Sequence, residues 1–325
     1  MMDFSDLMEL SLKFRESKCF FVSLKLGVFD LLSSGAKTAA EAAQELSIDR
    51  RASEILLNAL VSLRLLKKQD GYYSDTDITR QFLTKGGADY RGAIFNHLDS
   101  CWEAWSDFEN TVRSGSPKAE FSAYKADDAN DDFIWGMDNV GKTRAQDVLK
   151  AVDFSRFTSM LDLGCGAATY SIAFARRNPG LQVTALDLDI SLRVARENVA
   201  GQGVEGQFDF IGGDFLTVDW GNGYDLIWAS QFIHCFGENE TRWLLENAYN
   251  RLPAGGQLMI HDFLLDEDKT SPPYGAIFSI HMLAATEQGR SYSAAELTGW
   301  MTEIGFKTAR QVKVNETSSV LTAIK

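Results

Sequence analysis

The sequence has no apolar run long enough to cross a bilayer. The densest near its start, Cys19 to Leu24, falls far short of the ~20 residues that a membrane helix needs. The opening residues, Met1-Met2-Asp3-Phe4-Ser5-Asp6, lack a basic stretch and a following apolar core, so no secretory signal is expected. Cysteine is scarce: the four residues at 19, 101, 165 and 235 show no paired spacing. A disulfide framework is thereby excluded, and reduced thiols in a cytoplasm are expected. Low-complexity segments and repeats of fixed period are missing too. So is any basic excess. The net charge is −13; residues 1–97 hold 13 acids and 13 bases, and the rest holds 32 acids against 19 bases. Such a surface repels phosphate backbones, so neither nucleic acid nor membrane is an expected partner. What is present is a chain of 325 residues, 45% hydrophobic and 24% charged, enough for two domains with a core each.

Apolar spacing predicts helix over residues 5–33, with Leu7, Leu10, Phe14, Phe20, Leu24, Phe29 and Leu32 among the apolar positions. Thr38-Ala39-Ala40-Glu41 has the form of a capping box and starts a short helix ending near Leu46. Asp49 can cap a third helix reaching about Leu66, and Lys67 to Ser74 reads as a hairpin around Asp70-Gly71. Three helices and a hairpin give the winged-helix order. DNA binding would place the Asp49–Leu66 helix in a major groove. Its run of Ile55, Leu56, Leu57, Leu60, Val61, Leu63 and Leu65 leaves almost no polar face, and the module is neutral, so dimerisation is the favoured role. Residues 98–150 are helical and rich in aromatics. From Met160 onward, short β-rich runs alternate with helix-length segments: Met160–Leu163, Val183–Asp187, Phe208–Ile211, Tyr224–Ala229, Gln257–Phe263, Gln311–Val314 and Ser318–Ile324. Parallel strands with crossover helices follow. The last two runs are too close for a crossover and should pair as an antiparallel hairpin, so that the sheet ends in an antiparallel strand. The expected division is a dimerisation domain at 1–97 and a catalytic domain at 98–325, whose residues 98–150 form a helical linker lining the pocket.

Leu161-Asp162-Leu163-Gly164-Cys165-Gly166-Ala167-Ala168-Thr169-Tyr170 reads as strand, glycine turn and helix start. Gly164 and Gly166 let the backbone turn and approach a ligand. A dinucleotide fingerprint would need glycine at 169, where Thr169 stands. Asp187, at the end of the next strand, is placed to accept both ribose hydroxyls of a nucleoside. A pyrophosphate would avoid neighbouring carboxylates, yet Asp162 precedes the turn and Asp214 follows the third strand. These acids suit a cation bearing a sulfonium and an ammonium, with Asp214 accepting from the adenine amino group and Phe215 covering the adenine face. Each acid alone suits a cap; acids at successive strand ends, on the ligand-binding edge of an open sheet, suit a site.

The chain resembles the class I S-adenosylmethionine-dependent small-molecule O-methyltransferases, including plant caffeate and acetylserotonin enzymes and bacterial polyketide and carotenoid enzymes. Trp102-Glu103-Ala104-Trp105 with Arg113-Ser114-Gly115, Leu161–Tyr170, Asp187, Gly213-Asp214-Phe215, Ser230–Phe236 and His261-Asp262-Phe263-Leu264-Leu265 carry the resemblance, in order, over nearly the whole length. It implies a Rossmann-like seven-stranded α/β sheet behind an α-helical winged-helix dimerisation domain, an intertwined homodimer, and an acceptor pocket between the domains. S-adenosyl-L-methionine would be the cofactor and S-adenosyl-L-homocysteine the product, with Leu188 and Ser230 added to the cofactor contacts. Trp105, Met137, Tyr274, Phe278 and His281 would line the acceptor pocket of a cytoplasmic enzyme of secondary metabolism.

Methyl transfer to a phenolic oxygen is an in-line displacement that needs a positioned nucleophile and a base. His234, after the fourth strand, has the right chemistry near neutrality and stands at the family's general-base position. Asp262, after the fifth strand, matches the acid that orients that base. Three departures mark this chain. His234-Cys235-Phe236 replaces the frequent His-Asp-Trp, a second acid of the plant enzymes falls at about Ser291, and His281 replaces the usual bacterial residue. The expected function is O-methylation of an aromatic or polycyclic small molecule. His234, Asp262 and His281 would also make a facial metal triad, suited to metal-assisted carbon methylation of a 2-oxo acid or tetrapyrrole-like acceptor. Scattered sets of this kind are more often hydrogen-bonded pairs, and no metal is expected. The resemblance also admits a non-methylating relative that keeps the cofactor. A ligand-sensing DNA-binding regulator is the non-enzymatic reading of the same winged-helix order.

Overall fold

A computed structural model describes residues 2–87, 89–118 and 129–325; the stretch 119–128 of the expected linker lies outside the described residues. The chain folds as two compact units, residues 1–100 and 101–325.

The first unit runs α1 (Phe4–Leu12), α2 (Phe14–Lys25), α3 (Val28–Ser33), β1 (Lys37–Thr38), α4 (Ala39–Glu45), α5 (Arg50–Ser62), β2 (Leu66–Gln69), β3 (Tyr72–Asp75), α6 (Asp77–Phe82) and α7 (Gly92–Ser100). The helix expected over 5–33 is three helices, broken at Lys13 and at Gly27, whose φ of +78° suits glycine and ends the second. Thr38 and Glu41 form the capping box, and Asp49 accepts the Ala52 amide hydrogen. The third helix stops at Ser62, short of Leu66, because Arg64 turns the chain in the left-handed region toward β2. It also has more polar surface than its sequence suggests: Arg51, Glu54 and Asn58 are exposed, and the Asn58 side chain accepts from Lys68 and Tyr73. Asp70 and Gly71 both take positive φ, as a tight hairpin turn requires. The hairpin gains a third strand from β1, in the order β1-β3-β2. Val28, Phe29, Leu32, Leu57, Leu60, Leu66 and Tyr73 form the core of this unit.

The second unit begins with α8 (Trp102–Ser106), α9 (Phe108–Ser114) and α10 (Ala129–Ala151). There follow β4 (Ser159–Leu163), α11 (Thr169–Arg177), β5 (Gln182–Asp187), α12 (Asp189–Gln202), β6 (Phe208–Gly212), β7 (Leu226–Ser230), α13 (Glu238–Arg251) and β8 (Gln257–Asp262). The unit closes with α14 (Pro273–Ala285), α15 (Ala294–Ile304), β9 (Thr308–Lys313) and β10 (Ser319–Ile324). Seven strands pair in the order β6-β5-β4-β7-β8-β10-β9. The pairs from β6 to β8 are parallel, and β10 is antiparallel to both its neighbours. The antiparallel strand therefore lies inside the edge rather than on it. The hairpin folds back so that its second strand, the apolar Ser319–Ile324, pairs with β8, leaving the polar Thr308–Lys313 outermost. An edge strand of that composition blunts edge-to-edge association.

Residues in β4, β7 and β8 are almost all buried, as in a sheet covered on both faces. Alternate positions feed two cores. Leu161, Leu163, Ile227, Leu258 and Ile260 pack on one face, and Met160, Val183, Leu226, Trp228 and Met259 on the other. The chain moves outward from β4 through β5 to β6, then returns to add β7 and β8 on the other side. The loops after β4 and β7 thus part at the carboxyl edge, which is where open α/β sheets hold ligands.

Candidate active site

The glycine turn after β4 is a run of left-handed backbone: Gly164 (φ 71°), Gly166 (φ 54°) and Ala168 (φ 58°). Gly164 is needed for a reason the sequence does not display. A Cβ there would sit 2.2 Å from the ring of Phe232, at the tip of β7, rather than against a ligand. At Gly166 a Cβ would meet open space, and its amide hydrogen points to Asp187, 2.8 Å from Oδ2. The other Asp187 oxygen accepts from the Leu188 amide at 2.7 Å. Both oxygens are thus fixed by main chain, and each keeps a lone pair for a hydroxyl donor. Burial pushes the Asp187 carboxyl up. Asp162 is pushed up to about 7, by burial and secondarily by the charge of Asp187. Two acids held away from water beside one turn are stabilised by a cation. Asp214 caps its own turn through Oδ1, which accepts from the Leu216 amide, while Phe215 is buried against Phe232 and Phe236. The Leu188 side chain is exposed next to Asp187.

At the tip of β7, Gln231 takes φ 53°, and its amide donates to the His261 carbonyl at 2.8 Å. This turn swings the chain back so that buried His234 meets buried Asp262, Nδ1 to Oδ1 at 2.8 Å. The Phe263 amide donates to the same carboxylate oxygen at 2.8 Å. With Asp262 ionised, Nδ1 carries the hydrogen and Nε2 is the basic position. Burial by itself lowers the imidazole pKa; the Asp262 carboxylate, with a smaller contribution from Cys235, overrides it and raises His234 to about 10.

A second buried histidine, His261 on β8, has the opposite electrostatics. Burial lowers it to about 4, with Arg144 adding to the effect. Ser318 donates to Asn315 (3.1 Å), so it accepts from His261 Nε2 (3.0 Å), and Nδ1 in turn accepts from the Ser230 hydroxyl (2.8 Å). The Ser230 hydroxyl is therefore engaged within the protein. The sequence had no local signal for this chain of contacts, which joins segments of β7, β8 and the β9–β10 loop.

Phe278 packs edge-on against His234 (4.8 Å between centroids) and Phe263 (4.6 Å), and Tyr274 against Phe263 (4.8 Å). His281 lies beyond Phe278, and its ring is nearly parallel to that of Trp105. The Trp105 indole N–H donates to His281 Nδ1 at 3.3 Å. Since indole is a donor only and burial lowers the His281 pKa, the ring is neutral with its hydrogen on Nε2. These side chains form a continuous aromatic wall beside the base. Met137, on α10, is half-buried.

His234, Asp262 and His281 do not bring their donor atoms together as a metal-ligand set among the described residues; His234 and Asp262 pair, and His281 is bound by Trp105. Ser291, where the plant enzymes have a second acid, instead donates to the Gly275 carbonyl at 3.0 Å and ties down α14. Sequence reasoning also passed over Arg144, seven residues after Met137 on α10 and so on the same helix face; its guanidinium lies over the Phe263 ring at 4.9 Å.

Comparison with known proteins identifies the family. The profile of the O-methyltransferase domain matches residues 100–307, and that of the O-methyltransferase dimerisation domain residues 8–85. The 3-hydroxy-5-methyl-1-naphthoate 3-O-methyltransferase of Streptomyces sahachiroi is 29% identical, over 94% of this chain and 90% of its own length. The acetylserotonin O-methyltransferase of Gallus gallus is 30% identical over 96% and 93%. Among solved structures, PigF from a Serratia species, determined with S-adenosylhomocysteine, superposes with a TM-score of 0.91 at 26% identity, covering 100% of both chains.

Proposed function

Since this chain belongs to the S-adenosylmethionine-dependent O-methyltransferases with an N-terminal dimerisation domain, we propose that it methylates a hydroxyl of an aromatic or polycyclic small molecule, with His234 as general base. The observation that carries this reading is the buried His234–Asp262 pair, 2.8 Å apart, beside an aromatic wall and on the same sheet edge as Asp187.

S-adenosylmethionine, when bound, supplies an electrophilic methyl group and a positive charge. The residues present fit it. Asp187, with both oxygens oriented by main chain, suits the ribose diol, and Asp162 suits the cationic tail. Asp214 keeps its second oxygen for the adenine amino group, exposed Leu188 suits the ring, and Gly164 and Gly166 shape the turn, while Phe215 is buried against Phe232 and Phe236. Because its hydroxyl is committed to His261, Ser230 contributes through its main chain. Phe278, Tyr274, Trp105, Met137 and the Nε2 hydrogen of His281 orient the acceptor. His234 Nε2 then takes the phenolic proton as the oxygen attacks, and Asp262 stabilises the imidazolium that forms. The Asp262 carboxylate makes the His234 imidazole more basic than a free histidine, which favours uptake of the phenolic proton. The ligand-free pair holds its proton, and a neighbouring sulfonium charge favours its release.

The described residues include no helix long and apolar enough to cross a membrane, and none of the four cysteines is in a disulfide. We extend the reading to a cytoplasmic homodimer, assembled through the N-terminal unit, without a nucleic-acid partner. Methyl transfer from labelled S-adenosylmethionine to a panel of phenols tests the activity. Calorimetric titration with S-adenosylhomocysteine tests the cofactor site, and absence of binding would refute it.

A further inference from the structure

Among the described residues Arg144 forms no salt bridge. It lies on α10, half-buried. Its contacts are the face of Phe263, with Cζ 4.9 Å from the centroid, and the Tyr274 hydroxyl, which Nη2 reaches at 3.5 Å. The acid whose charge reaches the same neighbours, Tyr170 and His261, is Asp262; its Oδ1 is taken by His234 and the Phe263 amide, and its buried Oδ2 has no hydrogen-bond partner among the described residues. A partly desolvated guanidinium held flat on an aromatic ring keeps most of its five donors unused, and these match a carboxylate in a two-pronged bond. Phe263 adjoins both groups: its ring centroid lies 4.9 Å from the Arg144 Cζ and 6.3 Å from the His234 imidazole, to which it is nearly parallel at 13°. Base and guanidinium therefore border the same phenyl ring, along the same wall as Tyr274 and Phe278.

We propose that Arg144 binds a carboxylate carried by the acceptor, which makes the acceptor a hydroxylated aromatic acid. The inference rests on the methyl-transfer reading above and adds to it the charge of the substrate. A flat acid lying along this wall would place its carboxylate on Arg144 and its hydroxyl at His234 Nε2, so the cation sets which hydroxyl is presented to the base. The same chemistry is offered by the carboxylate of the cofactor's amino-acid tail, and the two sources separate experimentally.

The test uses the full-length protein saturated with S-adenosylhomocysteine, titrated calorimetrically with 3-hydroxy-1-naphthoate and with its neutral isostere 3-hydroxy-1-naphthamide. The wild type is expected to prefer the acid by about ten-fold or more, the scale of a charge-assisted hydrogen bond at a partly exposed site. Arg144→Gln should erase that preference while leaving the amide's affinity and the S-adenosylhomocysteine Kd unchanged, and Arg144→Lys should keep part of it. Equal binding of acid and amide by the wild type, or a preference that survives Arg144→Gln, overturns the proposal. So does a variant whose loss appears in S-adenosylhomocysteine affinity instead, because the carboxylate is then the cofactor's. A wild type that prefers the acid yet methylates neither probe counts against the methyl-transfer reading and leaves the anion site standing.

Discussion

At the tips of β4 and β5 the binding edge is made by main chain; at the tips of β7 and β8 it is made by side chains. On the first side the Gly166 and Leu188 amides fix Asp187, and the turn accommodates a distant side chain, Phe232, against Gly164. On the second, His234 and Asp262 reach each other across 28 positions of sequence, and Phe278, Tyr274 and Trp105 arrive from other helices. The contrast has a physical basis. A nucleoside cofactor presents constant geometry that a single turn can match, whereas an acceptor is recognised by whatever side chains several elements bring together. Neighbouring histidines on the second side make the same point: one touches a carboxylate and is raised to about 10, the other touches two serine hydroxyls and falls to about 4.

Substitutions should separate the two sides. Replacing His234 by alanine is expected to lower kcat by roughly 10²–10⁴-fold with S-adenosylhomocysteine affinity intact, read by single-turnover kinetics and calorimetry. Asp187→Ala should reverse the pattern, raising the S-adenosylhomocysteine Kd by on the order of 10²-fold through two lost hydrogen bonds to a charged group. If both variants lose cofactor affinity alike, the two sides are not independent. Gly164→Ala is expected to destabilise the fold by about 1–3 kcal/mol, through collision with Phe232, and denaturant midpoints measure it. The smallest effect concerns His261. Because its folded pKa lies below its unfolded value, its contribution is fully present above about 6.5 and is lost as pH falls toward 4. Thermal stability of the wild type should drop through that window more steeply than that of His261→Gln.

The two sides also differed in how far the sequence disclosed them. The glycine turn, Asp187 and the seven strands are local patterns, so their period and spacing were readable. The His234–Asp262 pair was reached through resemblance, since nothing local joins residues so far apart. Arg144 and the Ser230–His261–Ser318 contacts left no local trace, because they are products of packing. The antiparallel strand was expected at the sheet edge because adjacency in sequence indicates a hairpin without saying which arm joins the sheet. The alternative metal set shows the same limit: strand order places His234, Asp262 and His281 on one edge, but packing pairs His234 with Asp262 and sets His281 against Trp105.

The central claim is that the Asp262 carboxylate raises the basicity of His234 and so makes it the base that takes the acceptor's proton, and the pH dependence of kcat/KM tests it most directly. In the wild type the rate should rise with pH through an apparent pKa well above the ordinary histidine value, because the pair holds its proton until then. In Asp262→Asn the carboxylate is gone while burial remains, so the rise should move to lower pH and reach a lower plateau. A rise that stays in place in Asp262→Asn would belong to the acceptor's own ionisation and contradict the assignment, as would a wild-type profile that is flat from neutral to alkaline pH.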